Sequence, residues 1–259
     1  MNVMLFNLAW LRSQLPDRPI DWHDVVASTM TEASQLAAAG APSGAVVGAE
    51  EQTDGQGRQG RSWHSEPGLG LYVSIVLRRQ YTPSTLPVVT LALGLAVQEA
   101  ILKYANLACD LRWPNDVLVQ SKKCAGILTQ LESSTHPSAI IAGIGVNVNH
   151  SSFPAELSGI ATSLRLASGS IHSRERLLVD LLASVDTYCD LLETQGRGPI
   201  IETFTRSSSY VTGRRVCVDQ DGTVLRGTTA GLNDSGFLLL RGDDGTNSVI
   251  VAGGVRPCS

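Results

Sequence analysis

Apolar residues recur along the chain at two different spacings, and these spacings predict its secondary structure. Helical spacing with suitable start and stop residues predicts helices, whereas short apolar runs between turn-forming residues predict strands. The predicted helices cover 32–39, 84–105, 173–194 and 199–206. The predicted strands cover 45–49, 71–77, 110–112, 117–119, 126–131 and 139–148.

The pattern changes after Ser209. Short β runs at 216–218, 223–225 and 237–240 are separated by turn sequences such as Asp-Gly and Asp-Ser-Gly. Short strands with frequent turns predict a small barrel-like module. We therefore divide the chain into a large domain, 1–208, and a small domain, 209–259.

Composition and charge narrow the class of protein. Of 259 residues, 43% are apolar and 17% are charged, and the formal net charge is −4. This composition is typical of a folded globular protein and not of a disordered chain. A slightly acidic chain lacks the basic field that a general nucleic-acid binder needs, so any anion site must be local.

The sequence predicts no signal peptide, no membrane-spanning segment, no disulfide and no metal site. Asn2 and Asn7 interrupt the apolar start without a preceding basic segment, so we expect no signal peptide. The longest apolar stretch, 88–97, is too short to span a membrane. The five cysteines have no close spacing, which predicts reduced thiols in a cytoplasmic protein. The histidines are scattered, so no metal site is predicted.

The segment 50–70 is polar, contains five glycines and predicts a long loop. Its glycines allow backbone N–H groups to turn toward one point, and Arg58 and Arg61 add positive charge. Together they predict a site for a phosphate or another oxyanion. The segment matches neither a Walker A loop nor a dinucleotide fingerprint. A flexible surface loop with solvated arginines is the alternative interpretation.

Three further stretches carry polar groups at turns or on a strand. Residues 111–117, Leu-Arg-Trp-Pro-Asn-Asp-Val, taken alone favour a hairpin turn with a core tryptophan. Residues 122–128 begin with two of the three lysines in the chain, which either reach into a site or are solvated. Residues 143–149, Gly-Ile-Gly-Val-Asn-Val-Asn, form either an ordinary central strand or one that a ligand approaches closely.

These four stretches, in this order, resemble those of the biotin protein ligases, which attach biotin to the carrier domain of carboxylases. The resemblance extends from about Trp22 to the C-terminus. It implies an α+β fold: a mixed-sheet catalytic domain with flanking helices, as in class II synthetase-like biotin and lipoate ligases, plus a small SH3-like β-barrel. Because little chain precedes Trp22, we expect a monofunctional ligase without a DNA-binding domain.

The resemblance also implies site residues. Ser28, Thr29 and Met30 match a Ser-Thr-Asn biotin contact, and Gln52 matches a ureido-binding glutamine. Arg112 matches a lysine that binds the biotin carboxylate and the α-phosphate. The other implied biotin and ATP contacts are Gly55, Gln56, Gly57, Arg58, Arg61, Trp63, Asn115, Lys123, Gly126 and Asn147. The expected catalytic residues are Arg112, Lys123, Arg58 and Asp116, with Asp116 as the candidate proton acceptor.

Three residues depart from the family pattern: Met30 replaces Asn, Gln56 replaces Arg, and Arg112 replaces Lys. An arginine keeps the charge of a lysine but places its donors differently. Loss of an arginine at Gln56 is expected to weaken retention of the adenylate.

The implied reaction converts biotin and ATP, with Mg²⁺, to biotinyl-5′-AMP and then transfers biotin to a lysine of a carrier domain. Two alternatives are a lipoate or octanoyl ligase and a non-catalytic biotin-binding regulator. Gln52 and Ser28 suit a ureido ring, which favours biotin over lipoate. The retained Lys123 and Arg58 favour catalysis over binding alone. The sequence predicts neither the oligomeric state nor which carrier is modified.

Overall fold

The computed structural model describes residues 6–79, 81–133, 138–220 and 223–258. The strands of its larger sheet are β1 (Ile20–Val26), β2 (Val46–Gln52), β3 (Gly70–Leu77), β4 (Asp110–Arg112), β5 (Asp116–Val119), β6 (Lys122–Glu132) and β7 (Ala139–Asn147). Their order is β1-β2-β3-β7-β6-β5-β4. Strands β1 and β2 pair in parallel and the other neighbours pair antiparallel, which confirms the predicted mixed sheet.

Helices cover both faces of this sheet. They are α1 (Leu8–Gln14), α2 (Thr29–Ala38), α3 (Leu86–Ala105), α4 (Ala155–Ser158), α5 (Leu164–Ser168), α6 (Arg174–Gln195) and α7 (Arg197–Ser207). Helix α2 packs on one face through Met30, Ala33 and Ala37. Helices α3, α6 and α7 pack together on the other face.

Strand alternation gives the two faces of the sheet different chemistry. On the face toward α3 and α6, bulky residues such as Leu71 and Ile144 belong to the main apolar core. On the opposite face, β6 and β7 present Gly126, Gly143 and Gly145 instead. We call this side the glycine face. Its small residues leave room for other groups to lie directly on the sheet.

Helix α3 is the most apolar helix of the fold. The segment Pro83–Ala105 is long and apolar enough to cross a membrane by length and composition alone. However, 61% of its apolar window is buried inside the protein, because α3 packs against α6 and the sheet. A core helix passes the same test, and we interpret α3 as one.

A second, separate sheet follows α7. Its strands are β8 (Thr212–Gln220), β9 (Thr223–Leu232), β10 (Leu238–Gly242), β11 (Asn247–Ile250) and β12 (Gly254–Pro257), and they form an antiparallel sheet in the order β11-β10-β9-β8-β12. Apolar residues of this sheet, including Val216 and Leu238, belong to the same core cluster as α3. The indole Nε1 of Trp113 donates a 2.9 Å hydrogen bond to the Gly236 carbonyl. These contacts hold the second sheet against the end of the first.

The prediction that all five cysteines are reduced is wrong for two of them. Cys217 and Cys258 form a disulfide, whereas Cys109, Cys124 and Cys189 are free. The two partners are 41 positions apart in sequence. They meet because the pairing of β12 with β8 places Arg256 opposite Cys217. Strand pairing of this kind cannot be recognised from cysteine spacing alone.

Most predicted elements are present, with bounds shifted by a few residues. Helix α6 begins directly after Ser173, whose hydroxyl accepts a hydrogen bond from the N–H of Arg176 and caps the helix. The prediction missed α1, β1, α4, α5, β11 and β12. These elements are short or, like the edge strand β1, largely exposed, so they lack a clear apolar period.

Candidate active site

A row of residues from four strands crosses the glycine face. The strand register pairs Arg112 with Asp116, Asp116 with Gly126, and Gly126 with Gly145. Directly opposed residues in antiparallel strands project to the same side of the sheet. The register therefore places the Arg112 and Asp116 side chains beside Gly126 and Gly145. We call these two glycines the glycine floor, because they have no side chains.

Asp116 lies between two cations. Its Oδ2 accepts hydrogen bonds from Arg112 Nη2 at 2.6 Å and Nε at 3.1 Å. Its Oδ1 lies 2.6 Å from Lys123 Nζ. Burial by itself raises the pKa of Asp116, but the charges and hydrogen bonds of Lys123 and Arg112 outweigh it and lower the pKa below its ordinary value. Asp116 is therefore an ionised carboxylate that holds both cations in place.

Arg58 is a third cation next to this group. Its Nη1 donates to Asn115 Oδ1 at 3.3 Å and to the Gly253 carbonyl at 3.2 Å. Burial lowers the pKa of Arg58, and the nearby Asp116 partly restores it. A guanidinium remains charged at neutral pH despite such a shift. We call Arg58, Arg112, Asp116 and Lys123 the charged end of the site.

The Trp63 indole covers the glycine floor. A Cβ placed on Gly145 would lie 2.5 Å from Trp63 Cε2, and one placed on Gly126 would lie 2.8 Å from Trp63 Cζ3. No larger residue fits at either position without moving the indole. Lys123 Nζ lies 5.2 Å from the Trp63 ring, within the range of a cation–π contact. The buried indole Nε1 has no hydrogen-bond partner among the described residues, so it is a donor available to a ligand.

A group of neutral polar side chains lies at the other end of the glycine face. Gln52 Oε1 accepts from the Thr29 N–H at 2.9 Å and from Thr29 Oγ1 at 3.0 Å. Gln52 Nε2 donates to Ser65 Oγ at 2.9 Å, and Ser74 Oγ donates to Thr29 Oγ1 at 2.8 Å. We call Thr29, Gln52, Ser65 and Ser74 the amide end of the site. Its donors and acceptors suit a small neutral ring that carries both N–H and C=O groups.

Two adjoining cavities join these ends. The larger, of about 250 Å³, is lined by the charged end and by Gly57, Arg61, Trp63, Asn115 and Asn147. The smaller, of about 50 Å³, is lined by Thr29, Met30, Gln52, Gln56, Gly126 and parts of the charged end. The structure thus brings all but two of the predicted site residues to these two cavities, which share Arg58, Trp63 and Lys123.

The two exceptions are Ser28 and Gly55. Ser28 is buried, and its hydroxyl accepts a hydrogen bond from the Met30 N–H as the cap of α2. Gly55 is buried under the Trp63 carbonyl, where a Cβ would lie 2.5 Å from that oxygen. Neither residue lines either cavity. Each instead contacts a residue that does, Met30 or Trp63.

The loop 55–63 differs from the open anion-binding loop that the sequence predicts. Gln56 and Ser62 form a β-bridge, and the Gly57 N–H donates to the Arg61 carbonyl at 2.7 Å. The Trp63 N–H likewise donates to the Gly55 carbonyl at 2.7 Å. These N–H groups are used inside a small hairpin, so the positive charge here comes from the arginine side chains.

Asn147 also has a structural bond. Its Nδ2 donates to the Thr162 carbonyl at 3.0 Å, and the residue is buried. Asn115 Nδ2 similarly donates to the Ile127 carbonyl at 2.8 Å. Each amide therefore ties a site-lining strand or turn to its neighbour.

Sequence reasoning missed several residues of the site. Ser65 and Ser74 complete the amide end, and Gly253, Gly254 and Val255 of the second sheet line the larger cavity. Serine on a strand gives no distinctive sequence signal. The adjacent glycines at 253 and 254 were a possible signal, because such a pair often marks close approach of the backbone to another group.

Comparison with known proteins agrees with this geometry. A family model described as the Biotin/lipoate A/B protein ligase family matches residues 22–147. The "Bifunctional ligase/repressor BirA" of Bacillus subtilis is 35% identical over 93% of this chain and 75% of its own length. The "Biotin--[acetyl-CoA-carboxylase] ligase" of Mycobacterium tuberculosis is 31% identical over 94% of this chain and 92% of its own length.

A solved structure gives the same result in three dimensions. The biotin protein ligase from Aquifex aeolicus, in complex with biotin and ATP, superposes with a TM-score of 0.81 at 28% identity. The match covers 92% of this chain and 97% of that one. The four sequence stretches, the paired cavities and these relatives lead to one assignment: the chain belongs to the biotin protein ligases.

Proposed function

We propose that this protein activates biotin with ATP to biotinyl-5′-AMP and transfers biotin to a lysine of a biotin carboxyl carrier domain. The observation that carries the proposal is the pair of adjoining cavities: the larger is lined by four cations, and the smaller extends from two of them, Arg58 and Lys123, to the neutral Thr29 and Gln52. Biotin has a carboxylate at one end and a neutral ureido ring at the other. Its two ends match the two ends of the site.

In the first step, the biotin carboxylate attacks the α-phosphate of ATP and pyrophosphate leaves. Two anions repel each other, so catalysis depends on fixed positive charge at the point where they meet. Arg58, Arg112 and Lys123 surround that point. Arg112 and Lys123 are already positioned by Asp116, so little reorganisation is needed when the substrates bind.

In the second step, the ε-amine of the carrier lysine attacks the mixed anhydride and AMP leaves. The amine has to lose its proton before or during attack, because a free lysine has a pKa of ~10.4. Asp116 is the acceptor that the sequence suggests, but a carboxylate with a lowered pKa and two cationic partners is a weak base. We infer that Asp116 mainly positions Arg112 and Lys123.

The proposal includes Mg²⁺ bound to the ATP phosphates. Among the described residues that line the larger cavity, Asp116 is the sole carboxylate, and its two oxygens already contact Arg112 and Lys123. Mg²⁺ prefers oxygen ligands with free lone pairs and several waters. The described residues of this cavity therefore do not form a dedicated magnesium site, and the ATP phosphates and water would supply most ligands of Mg²⁺.

We further propose a cytoplasmic location, where ATP is abundant and carboxylases are assembled. A disulfide such as Cys217–Cys258 is unusual in that reducing compartment, so the state of this pair tests the location. Titration of thiols in the native protein under cytoplasmic redox conditions distinguishes three free cysteines from five.

The test is a labelling assay with ATP, Mg²⁺, biotin and a purified carrier domain. We expect biotin on the carrier and AMP in solution. Lipoate in place of biotin separates the proposal from a lipoate ligase, and biotin binding in calorimetry without labelling of the carrier would indicate a non-catalytic regulator. Neither alternative is favoured by the relatives, which are biotin ligases. A carrier that stays unlabelled while the protein binds biotin and ATP would contradict the proposal.

A further inference from the structure

Three side chains with metal-binding atoms meet at one edge of the site, although none of them belongs to the predicted machinery. They are His64, Glu66 and His150, and one potential ligand atom of each lies within 4.8 Å of the others. His64 and Glu66 follow Trp63 directly, at the base of the loop, while His150 follows β7. His64 and Glu66 are close in the chain, but His150 is brought to them only by the fold, so the spacing of the histidines did not reveal the site.

One nitrogen of His64 and one of His150 have no hydrogen-bond partner among the described residues. His150 is fully buried, yet its Nδ1 has no hydrogen-bond partner among the described residues. Its Nε2 is 3.5 Å from the Tyr72 hydroxyl, which donates to the Glu66 carbonyl at 3.0 Å. His64 Nε2 also has no hydrogen-bond partner in the described chain and lies 3.6 Å from Glu66 Oε2. Unpaired buried nitrogens are costly in an apolar setting unless something binds them.

We propose that His64, Glu66 and His150 bind one transition-metal ion of the zinc class. Two imidazoles and a carboxylate form a donor set that suits Zn²⁺ and leaves a fourth position open. A tetrahedral ion with bonds of ~2.1 Å spaces its ligands by ~3.4 Å. The 3.6 Å separation of His64 Nε2 from Glu66 Oε2 is close to that spacing, and the His150 ligand atom lies within 4.8 Å of both.

Accessibility and hydrogen bonding also suit an ion from solution. The side chains of His64 and Glu66 are 34% and 44% exposed, so the site opens to solvent on one side. The Tyr72 hydroxyl lies 3.5 Å from His150 Nε2, which leaves Nδ1 as the nitrogen of His150 with no partner among the described residues.

The proposed ion would join the base of the loop to the end of β7. Because His64 directly follows Trp63, an ion held there fixes the chain next to the indole that covers the glycine floor. This site differs from the Mg²⁺ of the proposed reaction, which prefers oxygen ligands and travels with ATP.

The test uses tag-free full-length protein, stripped with a chelator and titrated with Zn²⁺ against a chromogenic competitor, without ATP, biotin or carrier. We expect one Zn²⁺ per chain, and an absorption spectrum typical of tetrahedral coordination when Co²⁺ replaces it. His64→Ala and Glu66→Gln, at partly exposed positions, should each weaken affinity at least about tenfold. His23→Ala is the matched control, because His23 also lies beside a carboxylate, 3.1 Å from Asp21, but has no third ligand among the described residues.

Equal affinity in the native protein, His64→Ala and Glu66→Gln would place the ion elsewhere, for example on thiols, and overturn the proposal. Failure of the native protein to bind Zn²⁺ would also overturn it. Excess Mg²⁺ should not displace the ion. Since no substrate is present, either outcome is independent of the labelling assay that tests the ligase function.

Discussion

The polar groups at the charged end of the site and those at the amide end are satisfied by different kinds of partner. At the amide end, Gln52 and Thr29 satisfy each other with neutral hydrogen bonds that a ligand can share or replace. At the charged end, Arg112 and Lys123 are paired by Asp116 instead of by solvent. The difference shows that an internal counter-ion, Asp116, holds the cations in position. At the amide end, the neutral side chains hold one another by hydrogen bonds.

The largest expected effect comes from removing one cation of the charged end. Arg112→Ala should reduce adenylate formation about 10²–10³-fold, because a fixed donor at developing charge is lost. Pyrophosphate release measures the effect, and a thermal melt verifies the fold, since Lys123 still pairs with Asp116.

The matched control is Arg215→Ala, which removes an arginine with a similar pair to Asp243 in the second sheet, at 2.6 Å. It should leave pyrophosphate release unchanged. Release by Arg112→Ala at a rate near that of the native protein would show that Arg112 does not face the reacting anions.

The next effect is on stability and its pH dependence. Because the Asp116 pKa is lowered in the folded state, its carboxylate contributes stability that is fully present above its ordinary pKa of ~3.9. That stability is lost as the pH falls through the lower folded-state pKa. Asp116→Asn should therefore reduce the free energy of unfolding by about 1.5–3 kcal/mol near neutrality, and the difference should close in acid.

Denaturant unfolding at several pH values measures this difference. The control, Asp243→Asn, removes a fully exposed partner of Arg215 and should have a much smaller effect. A difference between native protein and Asp116→Asn that persists unchanged below pH ~3 would contradict the assigned role of the carboxylate.

A third prediction concerns the glycine floor that connects the two ends. Gly145→Ala should push the Trp63 indole away, because its Cβ would lie 2.5 Å from the ring. Overpacking of this kind costs about 1–3 kcal/mol, and the displaced ring should raise the KM for biotin and ATP.

Gly159→Ala supplies the control, since a Cβ there meets nothing within 4 Å. Chemical denaturation and steady-state ligation measure both variants. If Gly145→Ala behaved like Gly159→Ala in both assays, the indole would not lie on the floor in solution.

The smallest expected effect is on retention of the intermediate. Arg58→Ala removes the contact from the loop to Asn115 and Gly253, and we expect the adenylate to escape about tenfold faster, equivalent to ~1.4 kcal/mol. Gln59→Asn is a control in the same turn, because Asn tolerates the positive φ of 57° at this position. An unchanged adenylate half-life in Arg58→Ala would refute this role.

The sequence predicts the fold best where apolar periodicity is strong. Helix α3 and strands β3 and β7 are buried along most of their length, so their patterns are clear. The edge strand β1 alternates poorly because only its two ends are buried, and it was missed. The disulfide between Cys217 and Cys258 depends on the pairing of β8 with β12, which spacing along the chain does not reveal.

The candidate site was predicted mainly by resemblance, and the structure shows why local reasoning was insufficient. Arg112 and Asp116 taken alone indicate only a hairpin turn, and their meaning depends on Lys123 reaching them from the next strand. Similarly, Ser65 and Ser74 become parts of the amide end only through their bonds to Gln52 and Thr29. Residue types that occur throughout the chain acquire a role in the site only through contacts between segments that are distant in sequence.

The most direct test of the central claim is biotin-dependent exchange of labelled pyrophosphate into ATP, measured without a carrier. If the charged end joins the biotin carboxylate to the α-phosphate, the native protein should catalyse this exchange with biotin but not with lipoate, and Arg112→Ala should lose it. Exchange that is absent in a native protein able to bind both substrates, or that persists unchanged in Arg112→Ala, would contradict the account.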